Sequence, residues 1–176
     1  MPRTARLLAP VTLAAALLAG CTSTTPMPTP PPSPDATPVF ASDEEALAAA
    51  EEAYGKYLAV VDAILSDGGR DPERLLDVVS DEVYERELEG FKTYESKGWR
   101  QIGTRTFSLT LQRYDSGSVV VYSCDDVSAT DVVDSSGTSI VSPDRQETYA
   151  FEVEFLHETT LILDRKELWD GGAVCV

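Results

Sequence analysis

The chain has 176 residues, with 30 acidic against 14 basic side chains, a formal charge of −16 and a single histidine. That balance argues against nucleic acid as a partner and against a polybasic hold on anionic lipid, since both need Lys and Arg facing phosphates. With the first forty-odd residues set apart by composition, roughly 135 remain, enough to bury a core without many covalent staples.

Met1–Arg6 carries Arg3 and Arg6, and residues 7–19 are almost wholly apolar. The run falls short of the ~20 residues that span a bilayer and matches the charged start, apolar middle and small-residue end of a secretory signal. Leu18-Ala19-Gly20-Cys21 resembles the bacterial lipobox. In that family a peptidase cuts before the cysteine, whose thiol receives a diacylglyceryl group. The resemblance therefore implies a signal peptide over 1–20, lipidation at Cys21 and a cell-membrane location on the extracytoplasmic side. Two acyl chains hold where one is marginal.

Residues 21–41 follow as a linker. Thr22–Pro38 contains seven prolines among Thr and Ser, a composition that cannot build a core and favours an extended spacer reaching roughly 50 Å at about 3.1 Å per residue.

The folded domain is expected over 42–176. Ser42 and Glu45 form a capping box that starts a long helix, and Gly68-Gly69 stops it. Asp71 is expected to cap a short second helix with Pro72 at its first position. Ser80 begins a third helix, with Val83, Tyr84, Leu88, Phe91 and Tyr94 inside and Gly98 at its end. Glu82, Glu85, Glu87 and Glu89 on this helix are expected to form a solvated face. The period then changes to two. Phe107, Leu109 and Leu111 alternate with polar residues, Asp115-Ser116-Gly117 turns the chain, and Val119–Tyr122 returns as a hairpin partner. A smaller hairpin is expected over Thr130–Val141, turning at Asp134–Gly137. Tyr149–Phe155 alternates cleanly, and a last strand opens at Leu161–Leu163 and runs towards Trp169. Helices first and an antiparallel sheet afterwards define an α+β domain with its helices on one face.

This order resembles the nuclear transport factor 2-like superfamily, on the strength of the three helices before the strands, the segment Ala53-Tyr54-Gly55-Lys56-Tyr57-Leu58 and the late Trp169. It is also similar to actinobacterial lipoproteins of unknown function that carry such a domain. The resemblance implies three N-terminal helices packed on a curved antiparallel sheet of four to six strands, a cone open to a ligand. One fold hosts many functions, so activity does not transfer with it.

The residues that could carry chemistry are few. With Cys21 assigned to lipid, Cys124 and Cys175 remain and are expected to pair as a disulfide; free thiols or metal ligation are the alternatives, and without a CxxC or a histidine pair they make a poor zinc site. Asp125-Asp126 follows Cys124, and on a strand at most one of the two faces the inner side. Either is a candidate pocket base, as in ketosteroid-isomerase-type relatives of the fold; the competing reading is a charged rim. His157 stands alone, with no GxSxG to accompany it, and reads as a strand-end residue. Tyr54, Tyr57, Tyr122, Phe151 and Phe155, with Trp99 and Trp169, are candidates for lining a pocket or for ordinary core. No cofactor and no metal are expected. The inventory favours a non-enzymatic binding or accessory module of the envelope, taking a small apolar ligand or an envelope protein, over a small-molecule enzyme working through Asp125 or Asp126.

Overall fold

The computed structural model describes residues 39–175; the lipobox and the proline-rich spacer up to residue 38 lie outside them. Among the described residues no helix is long and apolar enough to cross a membrane. Helix α1 (Asp43–Ser66) starts where its caps dictate. Ser42 Oγ accepts from the Glu45 amide at 3.3 Å, and Glu45 reaches back to the Ala41 amide at 2.7 Å. Its buried face runs Ala46, Ala50, Ala53, Tyr54, Tyr57, Leu58, Val61 and Ile64. Phe40 extends the core two residues ahead of the expected boundary, packed edge-on against Tyr114 and His157. At the other end Gly69 holds a φ of +82°, and a Cβ there would lie 2.1 Å from the Phe91 carbonyl oxygen. Only glycine fits so close to a neighbouring helix.

The second helix is a 3₁₀ segment, Pro72–Asp77, with proline in its first turn as expected. Asp71 does not cap it: the residue is left-handed, and its side chain makes no capping bond. Helix α2 (Asp81–Lys97) ends at left-handed Gly98.

Six strands follow: β1 (Arg100–Ile102), β2 (Thr106–Tyr114), β3 (Ser118–Asp126), β4 (Asp131–Val133), β5 (Thr148–His157) and β6 (Leu161–Leu168). Four form an antiparallel sheet in the order β2-β3-β5-β6, and β1 pairs with β4 in a second, two-stranded sheet. The small hairpin expected over Thr130–Val141 is thus changed. Its turn at Asp134–Gly137 forms and is closed by a Val133–Ser139 bridge, but the ladder partner of β4 is β1. The four-stranded sheet lays its inner face on α1. Phe107, Leu109 and Leu111 pair with Asp125, Ser123 and Val121, which sit opposite Tyr149, Phe151 and Val153. The helical layer is stitched to β6 by backbone bonds from Ser80 to Leu163 (2.9 Å) and from Leu163 to Val78 (3.0 Å).

A bulge in β6 decides where the chemistry lies. Phe155 opposes Leu163 and Glu154 opposes Arg165, so Asp164 has no partner of its own. Bulges re-aim side chains. Beyond this one Arg165 faces outward, onto Glu152 at 2.8 Å and Glu154 at 3.0 Å, and Lys166 faces inward. On the outer face Tyr122 stacks on Trp169 with ring centroids 4.4 Å apart, and Cys124 is joined by a disulfide to Cys175. Closing that loop is worth roughly 4 kcal/mol in the chain-entropy account.

Candidate functional site

The two helices face each other with stripes of matching period. Tyr57, Val61 and Leu65 recur at i, i+4 and i+8 on α1; Glu87, Gly90 and Tyr94 recur at i, i+3 and i+7 on α2. Between them and the sheet lies a cleft of about 260 Å³, floored by Phe151 and Lys166 and flanked by Phe91 and Arg105.

Behind the floor sits a buried polar cluster. Lys166 pairs with Val153 on β5, and its long stem carries Nζ over the Phe151 ring, 4.1 Å from the centroid, to Asp125 Oδ2 at 2.9 Å on β3. Tyr54 on α1 donates its hydroxyl to the same carboxylate, 2.8 Å from each oxygen, and lies 3.2 Å from Ser123 Oγ. Asp125 is 2% exposed and the Lys166 side chain 9%. Such a pair stabilises little in itself, but removing one partner strands a buried charge at a cost of about 3–5 kcal/mol. Burial pushes the Lys166 amine below its ordinary range, and the Asp125 carboxylate opposes that shift. Burial pushes both phenols up, helped by Asp125 at Tyr54 and by Glu87 at Tyr57.

A second ionic group guards the side. Arg105 Nε donates to Asp62 Oδ1 at 2.8 Å, and Gln101 donates to the same oxygen at 2.8 Å. Tyr57 gives its hydroxyl to Glu87 Oε1 at 3.1 Å.

No family model matches the sequence, and no curated protein matches it. Among solved structures the chain is similar to the intermembrane space region of chloroplast protein ARC6, at 13% identity and a TM-score of 0.54, covering 69% of this chain and 95% of that one. It also aligns with a de novo designed β-sheet protein, at 16% identity and a TM-score of 0.32, over 76% of this chain and 95% of that one. The likeness to the ARC6 region is one of fold.

The residues singled out in the sequence separate into three places. Tyr57 and Phe151 line the cleft, while Tyr54 and Phe155 are wholly buried behind it. Of the paired aspartates Asp125 turns inward, as alternation allows for only one. Asp126 stands on the other face and accepts from the Ser128 amide at 2.8 Å; the Ser128 hydroxyl, and after it this amide, hold its carboxyl below the usual range. Tyr122 and Trp169 belong to the outer face, and Trp99 packs edge-on to Tyr94. His157 is eight residues along β5 from Tyr149, the ladder partner of Asp125, roughly 25 Å at about 3.3 Å per residue. It lines a separate hollow with Phe40, Lys56 and Asp77. Lys166 and Arg105 were not among the sequence candidates, and Glu87 leaves the solvated face expected of it. Among the described residues no cluster of His, Cys, Asp or Glu could hold a metal.

Proposed function

We propose that this chain is a lipid-anchored, extracytoplasmic binding module whose nuclear transport factor 2-like domain takes a small molecule in the cleft between its two α-helices and its sheet. The anchor rests on Leu18–Cys21 and the superfamily on the helices laid before and across the sheet.

The observation that carries the choice of binding over catalysis is the state of Asp125. A pocket base needs a carboxylate free to accept a proton from its substrate. Here the single Tyr54 hydroxyl proton is shared between the two oxygens, and one of them also receives Lys166. Asp125 does not line the cleft; it holds the lysine that does. These bonds and its place behind the cleft floor support binding over a ketosteroid-isomerase type of reaction, and Asp126 and His157 lie elsewhere.

The full chain should gain thermal stability with at least one member of a panel of single-ring and short-chain compounds of every charge, since any ligand of the folded state stabilises it by mass action. Gly90→Phe, which sets a ring over the cleft mouth, should abolish the gain. A panel without effect, or shifts untouched by Gly90→Phe, would defeat the cleft as the binding site.

A further inference from the structure

The chain carries 30 acidic and 14 basic side chains, yet the cleft inverts that ratio. Its ionisable lining comprises two cations, Lys166 and Arg105, and one carboxylate, Glu87, apart from the tyrosines. The counterions of the cations, Asp125 and Asp62, do not line the cleft. Glu87 accepts the Tyr57 hydroxyl through Oε1.

Both cations have donors to spare. The Lys166 ammonium has three N–H groups and one protein acceptor, Asp125 Oδ2; its remaining neighbours are aromatic faces. Arg105 spends Nε and Nη2 on Asp62 and Gln101, and Nη1 has no acceptor among the described residues. The Lys166 side chain is 9% exposed and that of Arg105 14%, and donors of one sign in a partly enclosed hollow favour an acceptor that carries charge. A cationic ligand meets two like charges against the single carboxylate of Glu87, whose Oε1 already accepts from Tyr57. A neutral one forgoes the charge-assisted part of the bond. The volume, about 260 Å³, falls below the usual ~300–1,000 Å³ of drug-sized sites and limits the ligand to one ring or a short chain.

We propose that the cleft selects a small carboxylate with an apolar body, its anionic head held by Lys166 and Arg105 and its body laid against Phe91 and Phe151. The inference rests on the binding-module reading and narrows it to one chemical class.

Benzoate, benzyl alcohol and benzylamine, titrated into the full chain by calorimetry, separate the two. Benzoate should bind about tenfold more tightly than benzyl alcohol, the ratio that charge-assisted hydrogen bonds of ~1.5–3 kcal/mol support, and benzylamine should not bind. Lys166→Met alone strands Asp125, so the paired change Asp125→Asn with Lys166→Met is used, its folding checked by circular dichroism. Arg105→Gln is the second variant. Each should erase the preference for the acid and leave benzyl alcohol binding in place. Equal affinity for acid and alcohol would overturn the inference while the cleft stands. A preference for benzoate that survives both variants would place the anion elsewhere and also overturn it. If none of the three binds, the inference fails, and the wider panel alone decides whether the cleft binds a ligand at all.

Discussion

Tyr54 and Tyr57 stand three residues apart on α1, and each gives its hydroxyl to a carboxylate, Asp125 in one case and Glu87 in the other. Burial and those carboxylates disfavour the phenolate, so both hold their protons beyond the ordinary value of 10.0. An unfolded tyrosine ionises near pH 10 and the folded one does not. The unfolded chain then binds fewer protons, and the stability present below pH 10 falls above it by about 1.4 kcal/mol per pH unit for each such group. Lys166 acts with the opposite sign at lower pH. Its folded-state value is depressed, so as pH rises towards 10.5 the folded site releases its proton first and stability rises. Above both transitions only the phenols remain. Denaturant unfolding followed from pH 11 to 12 should lose stability less steeply in Tyr57→Phe than in the wild type, by about 1.4 kcal/mol per pH unit. Identical slopes would mean that Tyr57 ionises in the folded state.

At the scale of the elements, the cleft is a gap between two helical stripes, and α2 keeps it open with a residue that weakens the helix. Gly90 lies mid-helix and exposed, and a Cβ on it meets nothing within 4 Å. Interior glycine costs a helix about 1 kcal/mol against alanine. Gly90→Ala should therefore raise stability by about 1 kcal/mol in chemical denaturation; a loss would mean that the helix needs glycine there for a close approach which the geometry does not contain. The elements themselves were largely legible in the sequence. Ser42 with Glu45, Gly68-Gly69 and Gly98 mark helix ends through backbone chemistry that acts within a few residues, and the alternation of Tyr149–Phe155 reports one buried face. What was not legible depends on distant partners. β1 and β4 are three residues each, too short to carry a period. Glu87 has the spacing of its exposed neighbours and is half-buried where Tyr57 faces it. Strict alternation from Leu161 and Leu163 points Arg165 inward; the unpaired Asp164 reverses this and delivers Lys166 instead. The site's central amine was hidden by a one-residue irregularity.

At the scale of the whole molecule, the two faces of the sheet divide the work. The inner face carries the cleft and the buried Asp125–Lys166 pair; the outer face carries the Tyr122–Trp169 stack and the Cys124–Cys175 disulfide. A disulfide persists in oxidising compartments, the kind of compartment that the proposed export would supply. The chain enters the core at Phe40, beside the turn after β2 and the end of β5. Tyr57, Val61 and Leu65 of the cleft belong to the second half of α1, a 24-residue helix about 36 Å long at ~1.5 Å per residue. In the proposed module a ligand would meet the domain away from the end of α1 nearest Phe40, which suits a solute better than a bilayer lipid. If Cys21 carries the anchor, it adds nothing to the fold. Expression of Cys21→Ala in a bacterial host should move the protein from the membrane pellet to the soluble extracytoplasmic fraction. Its melting temperature should equal that of the wild type, and its intact mass should still show Cys124 and Cys175 oxidised. Retention in the membrane pellet would show that something other than lipid at Cys21 holds the protein there.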